Sequence, residues 1–466
     1  KRGYDVIYGD SVTGDRCVTI RDEQGLIEVV PFEELFERYE DRVVRRNGKE
    51  VVRLDGRIRT LSVSKKDKKP VFSPVKALIR HKTRKKTYTV WQKHGSTTCT
   101  ADHSLITRKD GRLVPATPQE VEKHNHSFAT VPAIPELKRV KRVDLYDYLK
   151  DYTITKTYKG RLKTAKTRIV DGGWLSWGWT DRKKPVMLKR FIDAGSEDMK
   201  ALCRLLGLYI AEGSSSTPET TPYRMGASIA GSDRSLLEGV RKDYRRLFKN
   251  AAPNIIESYK KRRRTIANGS KTYDYEDRTL KLQLMNSLAA VFFKGLAGQR
   301  SKAKRLPRFI YHLPRDRQLL LLKYMVLGDG SRFDKRYRPE YVKRHFRYAT
   351  SSLRLASGLS LLLRQLGTSY NLQYRPSKKA YRISTAGKHN TRLHTRLLSH
   401  DPSSSYVYDM SVEDGVFADA CGQVLLHNTD SVFVNLACGS YEESQKLGKR
   451  IEKSMNRFLK DNVKRQ

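Results

Sequence analysis

Ile7-Tyr8-Gly9-Asp10 stands at one end of the chain, and Thr429-Asp430-Ser431-Val432 stands near the other. Joined, residues 6–10 and 429–434 read Val-Ile-Tyr-Gly-Asp-Thr-Asp-Ser-Val-Phe-Val. That is two β-rich arms around a tight Gly-Asp-Thr-Asp turn carrying a pair of carboxylates. Such a pair suits a two-metal phosphoryl-transfer site. Asp10 and Asp430 form the hairpin only if everything between them is removed, so residues 11–428 read as an insertion. Its borders carry the chemistry of removal. Ser11 opens it, His427-Asn428 close it, and Thr429 follows. A hydroxyl just after a peptide bond can attack the preceding carbonyl and turn amide into ester. A second hydroxyl can take over the acyl group, and an Asn before it can cyclise on its own backbone and cut the chain.

The 466 residues include 93 Lys+Arg and 50 Asp+Glu, a net charge of +43. With 38% apolar residues, 14 Phe, 25 Tyr and 4 Trp, the chain is too apolar and aromatic to be disordered. Its charge points to a polyanion partner, nucleic acid first and an anionic membrane surface second. The apolar run at 319–327 is interrupted by Lys323 and falls short of the roughly 20 residues a membrane span needs. No signal-peptide pattern opens the chain. It lacks an initiator Met, and the expectation is a segment of a longer protein. The 5 Cys form no CxxC pair, which argues against zinc or a disulfide framework and for a reducing, intracellular compartment. That compartment is a prokaryotic cytoplasm, or a nucleus or viral factory if the host is eukaryotic or viral.

Residues 11–135 read as short strands, such as Cys17–Ile20, Ile58–Val63, Val75–Ile79 and Thr87–Trp91, with turn signals at Asp55-Gly56 and Asp110-Gly111. One short helix, Phe32–Tyr39, interrupts them. Within 136–198, Asp144–Leu149 has helical character and Gly172-Gly173-Trp174 marks an aromatic turn. From about 199 the period becomes helical at Met199–Ala211, Ser235–Phe248, Leu280–Phe293, Arg317–Leu327 and Ser352–Leu366, with strand-like pieces between. Strands return at Tyr406–Val412 and Val424–His427. A β region thus opens the chain, an α+β region lies inside it, and a β piece closes it.

Helpers for the junction chemistry are present. Gly95-Ser-Thr-Thr-Cys-Thr-Ala-Asp-His103 contains Thr100-x-x-His103, and Tyr408-Asp409-Met-Ser-Val412 precedes Val424-Leu-Leu-His-Asn428. With Ser11-Val-Thr-Gly-Asp15 these blocks resemble those of inteins, over residues 11–428. The joined flanks resemble the palm motif of family B DNA polymerases. The resemblance implies an all-β Hint-type horseshoe built from both ends of the insertion, and a role for each residue. Ser11 would make the N–O acyl shift from Asp10. Thr100 and His103 would polarise the Asp10–Ser11 amide, His103 protonating the leaving amine. Thr429 would accept the acyl group, Asp409 would coordinate the steps, and His427 would assist cyclisation of Asn428. Splicing would need no cofactor. The family often has a His at the position of Gly415; here help for the last step would rest on His427 and a water.

Inside, Leu205-Leu-Gly-Leu-Tyr-Ile-Ala-Glu-Gly213 and Leu322-Lys-Tyr-Met-Val-Leu-Gly-Asp-Gly330 are apolar helices ending in Glu212 and Asp329. Small residues let two helices pack closely, and the two end carboxylates can share divalent metal over a scissile phosphate. This pair resembles the LAGLIDADG homing endonucleases. The second copy has Tyr324 where a small residue is usual. Lys302-Ala-Lys304-Arg-Leu-Pro307 resembles that family's basic block, which implies that Lys304 stabilises charge near the cut; a surface lysine on a phosphate is the alternative. The resemblance implies an α+β endonuclease requiring Mg²⁺ at Glu212 and Asp329, with double-stranded DNA as partner. Basic residues expected to track DNA are Lys260, Lys261, Arg262, Arg263, Arg264, Lys302 and Arg305.

The expected layout is multidomain. Residues 1–10 and 429–466 are polymerase flanks, 11–135 and 401–428 the two parts of the splicing domain, 136–198 a linker or extra DNA-recognition region, and 199–400 the endonuclease. Asp10 and Asp430 would hold metal in the rejoined polymerase, and Ser440-Tyr-Glu-Glu443 would open a helix there. The chain is expected to be monomeric and off the membrane. Two rivals remain open: an inner region that binds DNA without cutting it, and a chain that matters chiefly as polymerase.

Overall fold

Hairpin turns set the pattern of the outer region in the computed structural model. It describes residues 11–46, 48–158, 160–178, 184–217, 225–265, 272–329, 347–385, 394–402 and 405–427, with Arg450 and Ser454 beyond. The flanks that carry Asp10, Asp430 and the 440–443 helix signal lie outside the described residues, as do Asn428 and Thr429. Asp110 and Gly111 both adopt left-handed backbone, φ 49° and 77°, and fold Leu105–Lys109 onto Arg112–Ala116. That is the twist a two-residue hairpin requires. Asp55 and Gly56 make a similar left-handed turn.

The strands join in a 16-stranded sheet. Its path runs Arg112–Ala116, Leu105–Lys109, Val424–His427, Val416–Asp419, Cys17–Arg21, Arg59–Val63, Pro70–Thr83, Ser405–Val412, Val12–Thr13, Gly95–Thr100, Thr87–Gln92, Arg396–His400. Strands from the two ends of the chain therefore alternate in one sheet. Its pairings reach back to Arg396–His400, which pairs with Thr87–Trp91, five residues before the boundary expected at 401. Two short helices decorate it: α1 (Phe32–Glu37) and α2 (Pro118–Lys123), the latter started by a Thr117/Glu120 capping box.

The described residues between 142 and 193 include six strands. Ile154–Tyr158, Arg161–Val170, Trp174–Gly178 and Met187–Lys189 make a sheet that takes Phe248–Lys249 as its fifth strand. The expected helix at Asp144–Leu149 is a short 3-10 turn, Leu145–Tyr148. The long helices are α3 (Glu197–Glu212), α4 (Arg234–Leu247), α5 (Ser287–Ala297), α6 (Arg315–Asp329) and α7 (Leu353–Gln365). The helix expected over Leu280–Phe293 divides. Leu280, Leu282 and Leu284 alternate as the end of the Thr272–Leu284 strand. Asn286 then starts α5 by accepting the Ala289 N–H at 2.8 Å. Among the described residues no helix is long and apolar enough to cross a membrane.

Candidate functional site

Val12 pairs with both Tyr408 and Cys99, so the start of the insertion is a strand buried between two others. Ser11 is fully buried. Its N–H donates to Thr100 Oγ1 at 3.2 Å, and its carbonyl accepts the Thr100 N–H at 2.8 Å. Thr100 thus grips both sides of Ser11, one of them the N–H of the junction amide. The Thr100 hydroxyl also hydrogen-bonds the Asp102 carboxylate, which Lys85 holds as an ion pair. Burial pushes the Asp102 carboxyl up, but the hydrogen bonds from Lys85 and Thr100 outweigh it and leave it below the usual range. One hydroxyl proton spent on Asp102 aims an oxygen lone pair at the Ser11 N–H.

The chain then turns through His103, whose N–H donates to the Thr100 carbonyl at 3.1 Å. Burial pulls the His103 imidazole down to about 4, with His427 adding repulsion and Asp102 opposing it. Near neutral pH it is uncharged. Neither of its ring nitrogens, nor Ser11 Oγ, has a hydrogen-bond partner among the described residues. Buried polar atoms of this kind call for a reacting or absent partner.

Ser104 completes the turn. Its carbonyl accepts the His427 N–H at 2.9 Å, and Leu105 pairs with Leu426. Residues 100–104 therefore bridge the strand beside one junction to the strand beside the other, although the junctions lie far apart along the sheet path. The register pairs Val12 with Tyr408 and Thr13 with Val407, so Asp409 follows directly after the partner of Val12. Asp409 is buried, accepts the Met410 N–H at 2.7 Å, and lies within electrostatic reach of Lys49. Gly415 sits in the turn before Val416–Asp419 at φ +69°. A His there would be strained in the left-handed region, a local reason for the departure.

The second site is made by two helices in close contact. A Cβ on Gly207 of α3 would lie 2.5 Å from the Leu321 carbonyl oxygen and 2.8 Å from Tyr324 Cβ of α6. A Cβ on Gly328 would lie 2.6 Å from Ala211 Cβ. Tyr324, the departure from small residues, is thus accommodated by the bare glycine facing it. Glu212 and Asp329 are the last residues of their helices. Burial and the facing Asp329 raise the Glu212 carboxyl, and partial burial raises Asp329. Two carboxylates at two helix C-termini concentrate negative potential, which fits a hard divalent cation better than protons alone. Among the described residues no larger cluster of His, Cys, Asp and Glu occurs.

Lys304 is buried, and its Nζ donates to the carbonyls of Tyr209 (2.8 Å) and Gly213 (2.9 Å) at the end of α3. That excludes the surface-phosphate alternative. Burial pulls its amine down to about 7. Arg305 donates to the Lys294 and Gly295 carbonyls at 3.0 and 2.8 Å, so its guanidinium is committed to the end of α5 instead of facing solvent. Lys302 is exposed. Lys260, Lys261, Arg262, Arg263 and Arg264 lie on the long Asn254–Thr265 strand, paired with Thr272–Leu284, but their side chains lie outside the described residues. Sequence reasoning missed Asp102 and Lys85; a carboxylate beside His103 was the available signal.

No family model matches the chain. It is 23% identical to a DNA polymerase of Thermococcus hydrothermalis over 98% of its own length and 26% of the relative's. A mimivirus DNA polymerase matches at 22% over 93% of this chain and 21% of the relative, and a Thermococcus aggregans DNA polymerase at 37% over 26% of this chain and 6% of the relative. The chain spans about a quarter of the length of the first of these. Among solved structures, a transcription factor IIB mini-intein (Mvu) has a TM-score of 0.23 at 20% identity, covering 30% of this chain and 73% of that one. I-DmoI in complex with DNA and Mn has a TM-score of 0.26 at 13% identity, covering 41% and 91%. The chain is thus similar to DNA polymerases along nearly its whole length, it carries a Tyr-Gly-Asp and Thr-Asp-Ser motif split between its two ends, and parts of it are similar to a mini-intein and to a homing endonuclease.

Proposed function

We propose that residues 11–428 excise themselves and join their flanks. Ser11 Oγ–H gives its proton to neutral His103, and the oxygen attacks the Asp10 carbonyl carbon. As the C–N bond breaks, His103 passes the proton to the Ser11 nitrogen, leaving Asp10 as an ester on Ser11. Thr100, oriented by Asp102, holds the amide N–H through this step. The Thr429 hydroxyl then takes the acyl group from Ser11, with Asp409 positioning groups or carrying the proton. The Asn428 side-chain nitrogen attacks its own carbonyl, closes a succinimide and frees the Thr429 amine, assisted by His427. That amine attacks the ester and restores an amide.

The observation that carries this reading is the two-sided grip of Thr100 on Ser11, one turn from the residue that holds His427. Mass spectrometry of the expressed chain tests it. The expected products are fragment 11–428 ending in a succinimide and one joined flank peptide. A folded sample whose flanks stay unjoined rejects it. The splicing domain would comprise 11–135 and 401–428 together with the Arg396–His400 strand that pairs into its sheet, with the rest of 199–400 as endonuclease and 136–198 extending its DNA footprint.

The inner region is read as a double-strand DNA endonuclease directed at the uninterrupted polymerase gene. Glu212 and Asp329 would hold Mg²⁺, which when bound supplies Lewis-acid charge and an activated water. Lys304 fixes the end of α3 behind Glu212 and supplies positive charge there. Mg²⁺-dependent cleavage of that gene, abolished by Glu212→Gln, is expected. Binding without cleavage would favour the DNA-binding rival. Polymerase activity would belong to the rejoined host, with Asp10 and Asp430 as its metal ligands. The precursor would act as an intracellular monomer.

A further inference from the structure

The turn leading into the C-terminal junction is held from the inner region. Ser360 lies in the middle of α7 and is fully buried. Its hydroxyl lies 2.8 Å from the Ser357 carbonyl of its own helix and 3.0 Å from the Ala420 carbonyl, which share its one proton, and it accepts from the Gly422 N–H at 3.3 Å and from Gln423 Nε2 at 3.0 Å. Gln423 Nε2 also reaches the Ala420 carbonyl at 2.9 Å, and its Oε1 accepts the Tyr370 hydroxyl at 3.1 Å. Arg364, one turn further along α7, donates to the Gly422 carbonyl at 3.3 Å and to the Val131 carbonyl.

These contacts hold an unusual backbone. Gly422 and Gln423 are both left-handed, φ 93° and 55°. A Cβ on Gly422 would meet the His94 carbonyl oxygen at 2.2 Å. A non-glycine residue in this region costs free energy and persists where its surroundings impose it. Here the surroundings are the amide network of Ser360, Tyr370 and Arg364. The Val424–His427 strand starts at the next residue and ends one residue before Asn428 in the sequence, so the turn sets where that strand begins and how it runs.

We propose that Ser360 and Arg364 are positioning residues for the C-terminal cleavage. Through the Ala420–Gln423 turn, α7 sets the placement of Asn428 against the peptide bond it breaks. The endonuclease region is then a working part of splicing, not a passenger. This inference rests on the splicing reading above.

Two rates measured on the full-length precursor test it: hydroxylamine release of the N-terminal ester, and release of the C-terminal flank. Ser360→Ala and Arg364→Ala are expected to slow C-terminal release by about 10- to 100-fold, the scale of a misplaced reacting group, and to leave the ester yield unchanged. Ser360→Thr keeps the hydroxyl and is expected to restore the rate. Gln423→Glu, which replaces the amide donor but keeps the acceptor for Tyr370, serves if the alanine variants fail to fold and is expected to slow the same step. Arg354→Ala removes contacts at the other end of α7, to Val29, Glu28 and Glu34, and is expected to leave both rates unchanged. Equal loss of both steps, or no loss, overturns the inference while wild-type splicing stands. A wild-type chain that forms neither ester nor free fragment overturns both readings.

Discussion

At the residue scale, Thr100 has two duties that a deletion separates. Thr100→Ala removes the acceptor for the Ser11 N–H and is expected to lower hydroxylamine-sensitive ester formation by about 10- to 100-fold, with Thr100→Ser recovering most of it. His103 makes a pH statement. Burial lowers it from an ordinary value near 6.5 to about 4, and His81 is lowered to about 4 for the same first reason. The unfolded chain therefore binds protons that the folded chain refuses. Their stability contribution is present above about pH 6.5 and is lost as pH falls towards about 4. The expectation is a cost of up to about 3 kcal/mol from His103 across that window. Thermal melts between pH 7 and 4.5 check it, and His103→Gln should flatten the slope. The thiols of Cys17, Cys99, Cys203 and Cys421 are buried, so replacing them with Ala or Ser in a folded chain is expected to leave ligation intact.

At the element scale, the α3–α6 contact is decided by glycines. A side chain at Gly207 meets carbonyl oxygen and backbone nitrogen of the opposing helix, which cannot rotate away. Gly207→Val is expected to cost about 1–3 kcal/mol and to abolish DNA cleavage while fragment 11–428 is still released. Calorimetry and the two activity assays separate these outcomes. The raised Glu212 and Asp329 carboxyls set a second expectation. Protons compete with the cation, so cleavage should fall on acidification at a pH above the ordinary carboxylate range. Added Mg²⁺ should restore it.

Across the whole molecule, one buried ion pair ties together the two parts of the splicing sheet. Arg16 is 1% exposed and meets Asp419 at 2.7 and 2.9 Å; Thr97 and the Cys421 N–H also bond that carboxylate. Asp419→Ala leaves a buried guanidinium uncompensated and is expected to cost about 3–5 kcal/mol, read as a lowered denaturation midpoint. The charge of +43 acts at longer range. DNA affinity is expected to fall linearly in log–log terms with salt, at a slope of about −0.9 per phosphate neutralised.

The proposed insertion and its borders are read from the sequence by itself, because a hydroxyl, an amide side chain and a broken hairpin are contiguous chemistry. The sequence also determined the Asp-Gly turns and most helices, where local periodicity and burial agree. Leu280–Phe293 was misread because apolar residues spaced by two and by three or four overlap there until Asn286 caps α5. Only the tertiary structure decided the rest. It turned Arg305 and Lys304 inward onto helix ends, put Asp102 behind Thr100, set Gly207 beneath Tyr324, and docked α7 on the turn before the last strand. Each of these depends on partners brought together by strand order and helix packing. Such contacts join positions tens to hundreds of residues apart, and no local spacing encodes them.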